Sequence, residues 1–236
     1  MTSIPHKIIY KNYSLKRLII AVALGLVGAL LFASIYDGIR EHGDLARLDN
    51  PTLMWVIAHR SSGLTSLMKL VTTIFSPVGL GSIVTLFSVG WAWRSKEIWR
   101  PVLLMGSMGL AFSFSTIIKH LTERTRPPHM DMIKPLELDY SFPSGHTLGI
   151  SVCFLVAGYL IFSRRHLLYR HIAAWAALSL ATVILVAFSR LYLGYHWLTD
   201  VSASVGVAFV VLAIIILIDP LEPTQITRKV FSNTDR

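Results

Sequence analysis

Three short stretches of this chain concentrate the side chains that could do chemistry. The first, Lys119–Pro127 (KHLTERTRP), carries Lys119, Arg124 and Arg126, which offer positive charge and many N–H donors. A guanidinium suits phosphate or carboxylate because its planar fork donates two parallel hydrogen bonds. Pro127 and Pro128 stiffen the exit and disfavour helix at Arg126. The second stretch is Pro143–His146 (PSGH). Pro143 sets a turn, and Gly145 lets a ligand approach the backbone. Ser144 is expected to cap a helix starting near His146. The free N–H groups of that first turn would attract an anion, with His146 at their mouth as donor or proton carrier. The third stretch, Ser189–Asp200 (SRLYLGYHWLTD), adds Arg190, His196 and Asp200. His196 and Asp200 are four apart and share a face if the following helix starts early. An aspartate beside an imidazole fixes its tautomer and stabilises the imidazolium. The other ring nitrogen is then available as nucleophile or base.

Each stretch alone has a plainer reading. Lys and Arg anchor helix ends at membrane interfaces, Ser144 caps a helix beside an interfacial His146, and Asp200 caps another beside an incidental His196. A metal site would draw on His146, His196 and Asp200 with His120 or His129. No HxH or HExxH spacing supports it, and the surrounding cations would repel a metal. No phosphate-cradling GxxxxGK[ST] loop and no dinucleotide fingerprint occurs, so no cofactor is implied.

The elements that must hold these residues are apolar. The 236 residues are 53% hydrophobic and 15% charged, with mean hydropathy +0.59, whereas soluble domains carry about 25% charged residues. Six runs lack charge altogether: Leu18–Tyr36, Leu70–Trp93, Pro101–Ile118, Thr147–Ser163, Ile172–Ser189 and Val201–Ile218. Each approaches the roughly 17–25 residues of a bilayer span. The expected fold is all-α: a single polytopic membrane domain over 1–236. Its six transmembrane helices are expected near 18–36, 66–93, 99–119, 147–163, 171–189 and 199–218. Pro77, Gly79 and Gly81 predict a kink or break in the second span. Asp37–Arg60 reads as a loop with a short surface helix. The lone Cys153 says nothing of compartment.

The net charge of +9 would suggest nucleic acid in a soluble protein, but here its placement sets orientation instead. Lys7, Lys11, Lys16 and Arg17 precede the first span. Arg94, Lys96 and Arg100 follow the second, Arg164, Arg165 and Arg170 the fourth, and Arg228, Lys229 and Arg236 the sixth. By the positive-inside rule these are cytoplasmic, as are both termini. Parity then places Lys119, His146, Arg190, His196 and Asp200 together on the extracytoplasmic side.

Gathered this way, the three stretches resemble the signatures of the type 2 phosphatidic acid phosphatase (PAP2) superfamily of membrane lipid phosphatases. Lys119-HLTERT-Arg126-Pro127, Pro143-Ser144-Gly145-His146 and Ser189-Arg190-LYLGY-His196-WLT-Asp200 match its three motifs without departure. The resemblance implies that Lys119, Arg126 and Arg190 bind phosphate oxygens, helped by Ser144 and the Gly145 backbone. His196 would be the nucleophile forming a phosphohistidine, Asp200 would orient it, and His146 would be the general acid. Arg124 and His129 read as solvated surface, with contact to a second phosphate or headgroup as the alternative. Family members need no metal, and three cations could supply the electrostatic clamp. The substrate implied is a membrane lipid phosphate or diphosphate in the cell membrane. Undecaprenyl diphosphate is the first choice; phosphatidylglycerol phosphate and phosphatidic acid are the alternatives. A phosphotransferase, a transporter or scaffold, and a haloperoxidase are the other readings. Protein partners and oligomeric state have no signature.

Overall fold

In lipid every backbone N–H and C=O must find its partner within the segment, so apolar runs fold as helices. The computed structural model describes residues 15–41, 43–163 and 168–221. Eight α-helices follow in order: α1 Leu15–Glu41, α2 Asp49–Ala58, α3 Ser62–Ile74, α4 Pro77–Ser95, α5 Trp99–Thr122, α6 Gly145–Phe162, α7 Tyr169–Tyr192 and α8 Leu198–Ile218. Short 3-10 turns occupy Asp44–Leu48, His129–Asp131 and Asp219–Leu221. The chain is an all-α polytopic membrane protein. Five helices (α1, α5, α6, α7 and α8) are each long and apolar enough to cross a bilayer, and α3 with α4 passes as one bent span.

The anticipated break in the second span is sharper than a kink: α3 and α4 are bent by 53°. Ser76 caps α4, its Oγ accepting the Gly79 N–H at 3.0 Å, and Pro77 takes the first helical position. A Cβ on Gly79 would lie 2.3 Å from the Ile74 carbonyl oxygen, so the turn needs glycine. The first helix runs past the predicted 18–36 at both ends. Its polar ends, among them Lys16, Arg17, Arg40 and Glu41, are adequate helix formers that carry the helix beyond the apolar run. The expected surface helix in 37–60 is α2, fed by the 3-10 turn at Asp44–Leu48.

The core is built around α8, which packs against α1, α6 and α5. Thirteen of its residues are buried, which makes it the central post of the bundle. Where α1 crosses it, a Cβ on Gly28 would meet the Gly206 carbonyl oxygen at 2.4 Å, and one on Gly206 the Gly28 oxygen at 2.7 Å. Small residues let the backbones touch, which lipid-embedded helices need because dispersion replaces the hydrophobic effect between them. Exposed Leu26, Leu30, Leu86, Phe112, Leu180 and Ile184 face outward, as a lipid-facing belt requires.

One expectation about charge fails. Arg100 is not a loop cation but a buried residue of α5, paired with buried Asp219 at 3.2 Å; the Tyr159 hydroxyl donates to the same Asp219 oxygen at 3.0 Å. A buried guanidinium with a carboxylate partner cannot report on orientation as an exposed one does. Lys7, Lys11, Arg164, Arg165, Arg228, Lys229 and Arg236, and with them the placement of both termini, lie outside the described residues.

Candidate active site

The three motifs meet at one end of the bundle. His196 sits in the turn between α7 and α8, and Asp200 in the first turn of α8. His196 lies outside the helix, so the pair is not a helical-face pair. Instead Asp200 Oδ2 accepts the Trp197 backbone N–H at 2.9 Å, capping the helix, and meets His196 Nδ1 at 3.2 Å. Capping and ring orientation, posed by the sequence as rivals, are done by the same oxygen.

The hydrogen-bond network fixes the tautomer. Arg126 Nη1 lies 3.2 Å from His196 Nε2. A guanidinium can only donate, so Nε2 accepts and the ring proton resides on Nδ1, donated to Asp200. Both His196 and Asp200 are buried. Burial, and after it the charges of Arg126, Arg190 and Lys119, hold the His196 ring well below the ordinary imidazole range. His196 is therefore neutral, with its Nε2 lone pair directed at Arg126.

Lys119, Arg126 and Arg190 are brought together, but not as bare cations. Asp139 pairs with Lys119 and with Arg126. Glu137 bridges the two guanidinia, at 2.8 Å to Arg126 Nη1 and in a tight pair with Arg190 Nη2. Arg126 is fixed further by the Tyr195 carbonyl at 2.5 Å and the Asp139 carbonyl at 2.8 Å. Arg190 donates to Thr72 Oγ1 at 2.6 Å and lies 4.5 Å above the Tyr195 ring. Its buried Nε has no partner among the described residues. Although burial opposes the charge on Asp139, the Lys119 hydrogen bond and the Arg126 charge pull its carboxyl down to about 2. Neither carboxylate stands out in the sequence. Their only signal is the alternation Leu136-Glu137-Leu138-Asp139, which reads equally well as an exposed loop.

Gly145 and His146 line one cavity with Lys119, Arg126, Glu137, Asp139 and His196. A Cβ on Gly145 would approach Ser115 Oγ at 3.4 Å, so the position is snug without being closed to a side chain. Ser144 departs from its expected role as a helix cap. It stands before α6 but makes no side-chain cap; it is fully buried, and its Oγ accepts from Thr147 Oγ1 at 3.1 Å. Its backbone ties the motifs together instead, the N–H donating to the Asp200 carbonyl at 3.2 Å and the carbonyl accepting from Ser204 Oγ at 3.0 Å.

Arg124 is not solvated surface. It donates to Asp200 Oδ1 at 2.5 Å and to Asp49 Oδ2 at 2.6 Å. His129 is exposed in the 3-10 turn, and His120 packs edge-on against Tyr140. Among the described residues no three His, Cys, Asp or Glu side chains converge as metal ligands.

Comparison with known proteins extends the geometry. Phosphatidylglycerophosphatase B of Bacillus subtilis is 26% identical over 180 residues, covering 76% of this chain and 85% of that protein. An undecaprenyl-diphosphatase of Sulfolobus acidocaldarius is 29% identical over 114 residues, 47% of this chain and 50% of its own length. The crystal structure of a transmembrane PAP2-type phosphatidylglycerolphosphate phosphatase from Bacillus subtilis shares the fold: TM-score 0.74 at 21% identity, over 84% of this chain and 96% of that one. The PAP2 superfamily profile matches residues 100–222, a stretch that runs from α5 to just past α8 and holds all three motifs. The chain belongs to the PAP2 superfamily of membrane phosphatases.

Proposed function

We propose that this protein hydrolyses a lipid phosphate or diphosphate at the outer face of the cell membrane, through a phosphohistidine on His196. The observation that carries the reading is the cavity of about 580 Å³ that joins two chemistries. One end holds Lys119, Arg126, His146 and His196. The other is walled by Phe75, Val78, Leu80, Met108 and Phe112 from around the α3–α4 break and from α5. A phosphate head fits the first end, and an acyl or prenyl tail fits the second without leaving an apolar environment.

The chemistry follows from the site. The substrate phosphate displaces Glu137 and Asp139 from the cations, and Arg126 turns its N–H groups to phosphate oxygens, which frees His196 Nε2. Nε2 attacks phosphorus in line. The bond from phosphorus to the leaving oxygen breaks, and His146, held as the imidazolium beside the bound phosphate, gives that oxygen a proton. Asp200 stabilises the imidazolium as charge develops on the ring. Lys119, Arg126 and Arg190 hold the equatorial oxygens. Water then attacks the phosphohistidine, passes a proton to His146, and inorganic phosphate leaves with both histidines restored.

Undecaprenyl diphosphate is the proposed substrate, in line with the archaeal relative. Phosphatidylglycerol phosphate is the second reading, favoured by the Bacillus relative that matches more of the chain. Six spans with the site outside is the arrangement we propose, supported by parity and by the exposed cations Lys16, Arg94, Lys96 and Arg170. Phosphate release from purified protein on undecaprenyl diphosphate, phosphatidylglycerol phosphate, phosphatidate and diacylglycerol diphosphate ranks the substrates. Equal rates on all four would reject a dedicated enzyme. Loss of turnover on adding EDTA, restored by Mg²⁺, would reject the metal-independent clamp.

A further inference from the structure

Asp200 is fully buried, and both of its oxygens are engaged. Oδ2 faces Trp197 N–H and His196 Nδ1; Oδ1 accepts from Arg124 Nη1 at 2.5 Å. Arg124 reaches it from beyond the end of α5, where Glu123 takes a left-handed conformation (φ 46°) and redirects the chain. The guanidinium lies between the Phe142 and Trp197 rings, 5.9 Å from each centroid. Its other nitrogen donates to Asp49 Oδ2 at 2.6 Å.

Asp49 is the first residue of α2, in the extramembrane segment, and is itself buried. Its Oδ1 accepts the Thr199 N–H at 2.9 Å and its Oδ2 the Thr199 hydroxyl at 2.8 Å. The Thr199 hydroxyl has one proton. Since it goes to Asp49, the oxygen is left to accept Arg124 Nη1 at 2.6 Å. Both terminal nitrogens of Arg124 thus have assigned acceptors, and its orientation is over-determined.

A carboxylate this deeply buried is costly unless an opposite charge meets it. Arg126 is committed to Glu137 and the Tyr195 carbonyl, which leaves Arg124 as the counter-charge on the face of Asp200 turned away from His196. We propose that Arg124 and Asp49 are positioning residues of the reaction. Asp49 clamps Arg124, Arg124 holds Asp200 ionised and in place, and Asp200 keeps the His196 proton on Nδ1 and Nε2 free to attack. The proposal rests on the phosphohistidine reading above for its catalytic meaning. It assigns a task to α2: the extramembrane segment locks the nucleophile from behind.

Arg124→Gln should lower kcat about 100-fold and Asp49→Asn about tenfold, the range seen when the group orienting a functional ligand is lost. KM and the inhibition constant of orthovanadate should stay within twofold, because the phosphate cradle is separate. Arg124→Lys should recover part of kcat. Arg124→Gln added to Asp200→Asn should cost nothing further, since residues acting as a unit are not additive. An additive loss in the double variant, or a raised KM at unchanged kcat, overturns the relay. A second readout needs no turnover. With ¹⁵N-labelled histidine, the wild-type His196 ring should show the single Nδ1–H tautomer, and both variants a mixture. That result supports the relay whether or not the protein hydrolyses lipid phosphates; an unchanged tautomer in both variants overturns it.

Discussion

Glu137→Gln should make the site bind phosphate-like anions more tightly, although it removes a group that lines the cavity. Glu137 stands between Arg126 and Arg190, so any phosphate that uses both guanidinia has to displace it. The side chain of Glu137 is 27% exposed, whereas those of Arg126 and Arg190 are 4% and 1% exposed. The pair therefore lies between a solvent-screened bridge, worth about 0–1 kcal/mol, and a buried one, whose breaking costs about 3–5 kcal/mol. Taking about 1–2 kcal/mol as the part no longer lost on displacement gives a roughly 5–30-fold lower inhibition constant for orthovanadate. Leaving the two guanidinia without their bridge also raises the energy of the empty site, which acts in the same direction. Asp139→Asn should do less, about two- to threefold, because its side chain is 61% exposed and its pairs are screened. The assay is vanadate inhibition of phosphate release in detergent micelles at two ionic strengths; the gain should persist at high salt for Glu137→Gln and shrink for Asp139→Asn. The free Glu137→Gln protein should melt at a lower temperature and recover more than wild type when vanadate is added. A weaker or unchanged vanadate constant would refute the reasoning, and would mean that Glu137 shapes the cradle rather than competes for it.

His196→Ala should abolish phosphate release while leaving the melting temperature and elution profile intact; retained turnover rejects the nucleophile. Because burial and three cations hold His196 well below the ordinary imidazole range, its ¹⁵N signals should show no titration midpoint near 6.5 in the substrate-free protein. Asp139, at about 2 when folded, binds its proton less readily than when unfolded. Its stabilising contribution is thus fully present above the unfolded carboxyl value near 4 and is lost as pH falls toward 2. Mild acidification to pH 5 should therefore not release Lys119 through Asp139, and a vanadate constant in Asp139→Asn should show the same pH trend as wild type between 5 and 8. Gly28→Val should lower thermal stability by about 1–3 kcal/mol through the clash with the Gly206 carbonyl, without changing KM in the fraction that folds; an unaffected melting temperature would argue against the close α1–α8 crossing. A cysteine at position 129 in a Cys153-free background should be labelled from outside intact cells, and labelling only after permeabilisation would invert the orientation.

What the sequence made legible was whatever is written locally. Uncharged runs predicted the helices because a bilayer span is a property of consecutive residues, and Pro77 with Gly79 predicted the break because turn chemistry is local too. The motif residues were legible because their types are chemically unusual beside apolar runs. Pairing was not. Glu137 and Asp139 look like ordinary loop carboxylates until the fold sets Lys119, Arg126 and Arg190 around them. Arg124 looked solvated because a guanidinium after a helix end usually is, and its partner Asp49 comes from a segment with no signature at all. Asp49 lies 150 positions from Thr199, whose N–H it accepts. Ser144 misled for the converse reason: its type and place satisfy the rule for a helix cap, but its backbone is tied to the Asp200 carbonyl and the Ser204 hydroxyl, and its Oγ accepts from Thr147 instead of capping. These cases share a cause. A cation in a membrane protein near a helix end has three possible fates: headgroup, substrate or buried carboxylate. The choice depends on which acids the tertiary fold delivers, and acids are the residues whose position the hydrophobic pattern constrains least. Two acids at the front of the site and one behind it therefore separate the cations of this chain by task. On the proposed reading, those facing Glu137 and Asp139 are held in pairs that a phosphate would replace, while Arg124, locked between Asp49 and Asp200, would act through the carboxylate it holds.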